Sequence, residues 1–162
     1  DRVWTQCDIQ FRLVHHSRCE VDEETLDNLY PLGSGFECGS QVQENAIAAA
    51  ITACEDAQDK RGLQVVVTGS LDNETGEGVT CSPLTLGVTT DDGSRVIVTS
   101  RGLLAKGTLS HELGHALGIK VHSQDLDNLM YASEIPASPR LLTPTDCGIA
   151  RQRAAGLQAT VF

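Results

Sequence analysis

Apolar and polar positions change their period several times along this chain. From Gln41 to Lys60, residues Val42, Ala46, Ile47, Ala50, Ile51 and Cys54 recur at helical spacing with no breaker, and Arg61-Gly62 closes the run. The pattern predicts a supporting helix. Leu63 to Thr68 reads as a buried strand because of its valine run. A turn over Leu71 to Gly78 leads into an extended stretch from Val79 to Thr89. Asp91-Asp92-Gly93-Ser94 then turns the chain into a further strand, Arg95 to Thr99.

The ends are less regular. Asp1 to Cys7 resembles the last turns of a helix, and Ile9 to Val14 alternates in the manner of a strand. Val21 to Gly39 carries little pattern beyond a helical turn at Glu23 to Leu29, and Pro31-Leu32-Gly33-Ser34-Gly35 marks a loop. Tyr131 to Arg140, with Pro136 and Pro139, reads as irregular wall. Thr143 then suits a helix cap, with Pro144 at the first position and Asp146 at the third. This last helix is expected to reach about Ala155, with Arg151 and Arg153 suiting its C-terminal end.

Between these parts lies Leu103 to Tyr131, LLAKGTLSHELGHALGIKVHSQDLDNLMY. Leu109, Leu113 and Ala116 fall on one flank of a helix and can enter a core. The other flank carries His111-Glu112-x-x-His115. At about 100° per residue the two histidines differ by roughly 40° and point the same way. Glu112 stands beside them, placed to reach a water in the open position of a metal ion without being a ligand. Such a five-residue pattern arises by chance in about one chain of this length in a hundred, so its surroundings must decide. Gly118 sits where a helix can stop on a left-handed residue, which lets the next segment swing back toward the histidines. His122 follows four residues later, and Leu129-Met130-Tyr131 lies beyond it.

Composition narrows the class. A chain of 162 residues suits one domain, or two small lobes about a cleft. A formal charge of −10 makes nucleic acid and anionic membrane poor partners. The longest apolar runs, such as Ala46 to Ile51, are far short of a membrane span. With Asp1 as its first residue and no signal-peptide pattern, the chain is expected to be a processed form or an excised domain.

The six cysteines, Cys7, Cys19, Cys38, Cys54, Cys81 and Cys147, contain no C-x-x-C pair. That argues against a cysteine-built metal site and for disulfides in an oxidising, extracytoplasmic compartment, although six cysteines allow 15 connectivities. Cys19 to Cys38 is the pair expected first, since it would staple the loop between them. Acid-rich turns at Asp72-Asn73-Glu74 and Asp91-Asp92 offer oxygens for calcium, but neither follows an EF-hand spacing and solvated turns explain them as well. His15 and His16 have no partner spacing and read as surface residues.

HELGHALGIKVHSQDLDNLMY resembles the zinc signature of the metzincin metallopeptidases, H-E-x-x-H-x-x-G-x-x-H followed by a methionine turn. The form HSQDLDNLMY, with Ser123 after the third histidine and Tyr131 after Met130, is similar to the matrixin branch. The match covers about 20 residues. It implies His111, His115 and His122 as zinc ligands, Glu112 as general base, Gly118 as the turn and Met130 as an apolar floor. One feature departs from the pattern. Ile119, Lys120 and Val121 separate Gly118 from His122, where the family has two residues, so Val121 occupies the ligand's usual place. The reading is a one-residue insertion in irregular backbone, with Asp125 and Glu134 as alternative third ligands.

The resemblance implies an α+β, zincin-like fold: a twisted mixed sheet, packed helices with an active-site helix, and a small irregular C-terminal lobe ending in a helix. The single catalytic domain would span 1–162, with an upper lobe of about 1–118 and a lower lobe of about 119–162. A strand within Leu84 to Thr89 would form the rim of the cleft and pair with an extended peptide. The implied activity is zinc-dependent endopeptidase action by a secreted monomer on protein or peptide substrates. The alternative is a silent metallopeptidase-like module that keeps its zinc and binds protein without cutting it. The intact Glu112 argues for the enzyme, because a purely structural site has no use for an acid beside the metal.

Overall fold

The computed structural model of the chain describes residues 3–13, 62–68, 87–89, 93–99, 104, 107–131 and 141–158. The chain divides into two compact units, one of Asp1–Arg12, Arg61–Gly69 and Leu86–Phe162, the other of Leu13–Lys60 and Ser70–Thr85. Every element below belongs to the first. The predicted helix over 41–60, the turn over 71–78 and the wall over 132–140 lie outside the described residues.

Among the described residues, three strands form a mixed sheet in the order β1-β3-β2: β1 is Gln64–Thr68, β2 is Gly87–Thr89 and β3 is Arg95–Thr99. β3 runs parallel to β1 and antiparallel to β2. Its central place explains its sequence, since Val96, Ile97 and Val98 are all buried. β1 is a strand as expected, but it is not buried. Val65 and Val67 are exposed by 45% and 51%, so the valine run there reports strand propensity rather than a core position.

Helix α1, Thr108–Ala116, packs on the sheet through Leu113 and Ala116, which join Val96 and Val98 in the core. Leu109 is partly buried against the same core. The leucine flank predicted for this helix is therefore the face that packs. Gly93, with φ of 68°, lets the turn before β3 pass so close to the end of α1 that an added Cβ would lie 3.0 Å from the Ala116 carbonyl.

The first segment forms a 3-10 helix, Trp4–Cys7, in place of the end of an α-helix. Residues 9–13 are not a strand. Ile9 alone of that stretch is buried, and Phe11 stands edge-on to Trp4 with ring centroids 6.1 Å apart, so the alternation serves local packing rather than a sheet. A disulfide joins Cys7 to Cys147 on the last helix. Such bonds persist in oxidising compartments. The expected Cys19–Cys38 pair lies outside the described residues.

Helix α2, Pro144–Gln158, begins as the sequence predicts and runs three residues past Ala155. The Asp146 N–H donates to Thr143 Oγ1 at 3.1 Å, while Asp146 Oδ2 accepts from the Thr143 N–H at 3.0 Å and its hydroxyl at 2.8 Å. This is a reciprocal capping box. Because the helix is longer than expected, Arg151 and Arg153 sit in its middle and no basic residue occupies its last turn. Arg151 instead faces Asp8 at 3.4 Å, an exposed pair worth little.

Burial would raise the Asp146 carboxyl, but hydrogen bonds from Thr143 and Asn128 outweigh it and hold the group below its ordinary value of 3.8. A depressed folded value means stability that is present above pH 3.8 and is lost as pH falls through the folded value. Asp146→Ala should cost about 1 kcal/mol near neutral pH. The difference in melting temperature from the parent chain should close in acid, and thermal melts across pH would check both.

Candidate metal centre

Helix α1 sets His111 and His115 one turn apart on the face away from Leu113. Leu117 follows as the cap, and Gly118, with φ of 93°, ends the helix in the left-handed region. Its N–H donates to the His115 carbonyl at 2.9 Å, and the Ile119 N–H donates to the Gly114 carbonyl at 3.0 Å. These two bonds form a Schellman motif and reverse the chain. Ile119 is buried, whereas Lys120 and Val121 are exposed, Val121 by 79%. The three residues between Gly118 and His122 thus put their spare length into solvent, and His122 still arrives at the other two histidines.

The Nε2 atoms of the three rings form a nearly equilateral triangle. His115 to His111 is 3.1 Å, His115 to His122 is 3.2 Å, and His111 to His122 is 3.3 Å. Imidazole nitrogens bound tetrahedrally at about 2.0–2.1 Å stand about 3.3–3.4 Å apart, so the spacing fits a small ion such as zinc. His111 and His122 are nearly parallel, at 18°, and His115 crosses both edge-on.

The other ring nitrogens decide where the protons are. His111 Nδ1 lies 2.8 Å from the Leu129 carbonyl, and His115 Nδ1 lies 2.7 Å from the Ile119 carbonyl. A carbonyl only accepts, so each Nδ1 carries the hydrogen and, in the neutral ring, each Nε2 is left with a lone pair. Burial lowers the pKa of His115 and the charges of His122 and Lys120 lower it further, against the pull of the Ile119 carbonyl. Two lone pairs 3.1 Å apart repel unless a cation lies between them. Such a donor set, with its outer partners in place, could hold a metal ion.

Among the described residues, these three histidines are the group that could hold a metal ion, and they supply three ligand atoms. Asp125 does not join them; it is exposed, and its Oδ1 accepts the Asp127 N–H at 3.0 Å in a local turn. Glu134, both acid-rich turns and His15 and His16 lie outside the described residues.

Glu112, the residue after His111, is buried, 7% exposed, with Oε2 2.8 Å from the Thr89 hydroxyl. Burial pushes its carboxyl up to about 7, and the Thr89 hydrogen bond restrains the rise. A carboxyl in that range can both take and give a proton near neutrality.

Met130 is 1% exposed and packs under α1, where a Cβ on Gly114 would collide with its sulfur. Asn128 holds this turn from within. Its Oδ1 accepts the Met130 N–H at 2.7 Å, and its Nδ2 donates to Asp146 Oδ2 at 3.1 Å. The α2 cap is thereby linked to the segment whose Leu129 carbonyl orients His111. Asn128, Thr89 and the carbonyls of Ile119 and Leu129 were not singled out from the sequence. Asn two residues before a buried N–H is a readable turn signal. Thr89 gives none without the sheet register.

A scan against protein-family models finds none that matches this chain, and a search of curated proteins finds no match either. The geometry carries the functional reading by itself.

Gly114→Ala should force Met130 aside in a packed core. A loss of about 1–3 kcal/mol is expected, read by denaturant unfolding, together with weaker metal binding as the turn beneath the helix shifts.

Proposed function

We propose that this chain is a zinc-dependent endopeptidase of the metzincin type, closest in pattern to the matrixins. The observation that carries the reading is the triangle of Nε2 atoms at 3.1–3.3 Å with a buried carboxylate one residue from its first member. Three protein ligands, rather than four, leave room for water and substrate. The position of β2 supports a peptide substrate. Among the described strands it lies at the sheet's edge, antiparallel to β3, where an extended chain can add as a further strand. The Cys7–Cys147 disulfide supports a secreted protein. Action as a monomer on protein or peptide substrates, within a zincin-like domain, completes the proposal.

A bound zinc ion would supply a lowered water pKa and polarise the scissile carbonyl. His111, His115 and His122 would hold it with neutral nitrogens that leave its charge undiminished. Glu112 takes the proton from the attacking water and delivers it to the departing amine as the peptide bond breaks. Burial suits it to both steps, since it raises the carboxyl to about 7.

Metal analysis should find one zinc per chain, and a chelator should abolish cleavage of a denatured protein. Zinc without cleavage would favour the protein-binding module, and absence of zinc would remove both readings.

Two substitutions divide the roles. Glu112→Ala should retain zinc while turnover falls by about 10²–10⁴-fold; undiminished cleavage would take the base role from Glu112. His122→Ala should weaken zinc binding by more than the roughly 10–100-fold typical of losing an outer-shell partner.

A further inference from the structure

We infer that Thr89, with Gly87, is a positioning device for Glu112, a role that rests on the peptidase reading above and adds residues outside its zinc signature. Register puts the two in place. In the antiparallel pairing Gly87 faces Val98 and Thr89 faces Val96. Directly opposed residues share a face, and Val96 and Val98 belong to the core that receives Leu113 and Ala116 of α1. Gly87 and Thr89 are therefore on the helix side of the sheet.

At Gly87 the missing side chain makes room. A Cβ there would lie 2.8 Å from Glu112 Cγ and 3.2 Å from its Oε1. Glu112 is pressed against the strand's backbone, and no larger residue fits without displacing the stem of the carboxylate. At Thr89 a hydroxyl closes the cradle. Its Oγ1 lies 2.8 Å from Glu112 Oε2 and 2.9 Å from the Glu112 backbone carbonyl.

That hydroxyl has one hydrogen and two oxygens of the same residue in reach. Facing a carboxylate, it donates to Oε2. Once Glu112 has taken a proton, the carboxylic acid can donate to Oγ1 while the hydroxyl turns its own hydrogen to the backbone carbonyl. Both arrangements keep the heavy atoms where they are. The base is thus held at one place before and after it accepts the proton, which is what a group that must also return that proton requires. Valine has the same shape and cannot make either bond.

The test compares Thr89→Val, Thr89→Ser and Gly87→Ala in the full chain loaded with zinc. Thr89→Val should lower kcat by about 10- to 100-fold with KM and zinc affinity unchanged, the loss expected from one hydrogen bond to a charged group. Thr89→Ser, which keeps the hydroxyl, should recover most of it. Gly87→Ala should also lower kcat at full zinc occupancy. Crystal structures of the zinc-loaded variants give a readout independent of turnover: the Glu112 carboxyl should leave its place in Thr89→Val and Gly87→Ala and keep it in Thr89→Ser. A Thr89→Val chain with parental kcat and an unmoved Glu112 would overturn the inference. So would equal losses in Val and Ser, or a loss that tracks zinc or melting temperature. If the parent chain cleaves nothing, the peptidase reading fails, and the position of Glu112 in the variants still decides whether Thr89 and Gly87 hold it.

Discussion

Two hydrogen bonds from imidazole to backbone carbonyl fix the chemistry of this structure. The Ile119 and Leu129 carbonyls each take an Nδ1 proton, from His115 and His111. A histidine free to choose its tautomer would offer either nitrogen to the interior of the triangle, and a protonated one would offer no lone pair. With the tautomers fixed, the neutral rings turn their Nε2 lone pairs toward one another at little more than 3 Å, an arrangement that a shared cation would satisfy. The rest of the described fold can be understood as what keeps those two carbonyls still.

Each carbonyl is held by a different device. Ile119 is placed by the Schellman reversal at Gly118, a strictly local feature spanning the last turn of α1. Leu129 depends on distant parts of the chain. Its N–H donates to the Leu141 carbonyl, its neighbour Asn128 is bound to Asp146, and Asp146 caps α2. Cys147, the next residue, is tied by its disulfide to Cys7, beside the buried Trp4. One histidine is therefore oriented by a turn and the other by a network reaching from the last helix. The two should differ in how far away a substitution can disturb them.

The glycine of the local device was legible in the sequence, and so were several other features that depend on residues near one another in the chain. The face of α1 that packs, the glycine that ends it, the strand over Arg95–Thr99 and the Thr143 cap follow from periodicity and turn chemistry over a few residues. What depended on register or on distant partners was not legible. The alternation from Ile9 to Leu13 mimicked a strand although the structure gives these residues none, because a period of two cannot distinguish a sheet from a segment that buries one side chain. The valine run of β1 predicts a buried strand, yet Val65 and Val67 are exposed, since propensity and burial leave the same mark on a short run. Thr89 stayed invisible for the same reason. Its meaning lies in its pairing with Val96, across the sheet.

The segment before His122 has a slack in length that β2 lacks. Between Gly118 and His122 the constraints are two points, the Ile119 carbonyl and the His122 ring, and the exposed Lys120 and Val121 absorb whatever length lies between. A strand has no such slack. With a side-chain period of two, a one-residue slip of β2 would turn Gly87 and Thr89 away from Glu112. The histidines can therefore be reached by loops of different length, whereas Glu112 is tied to the sheet by register.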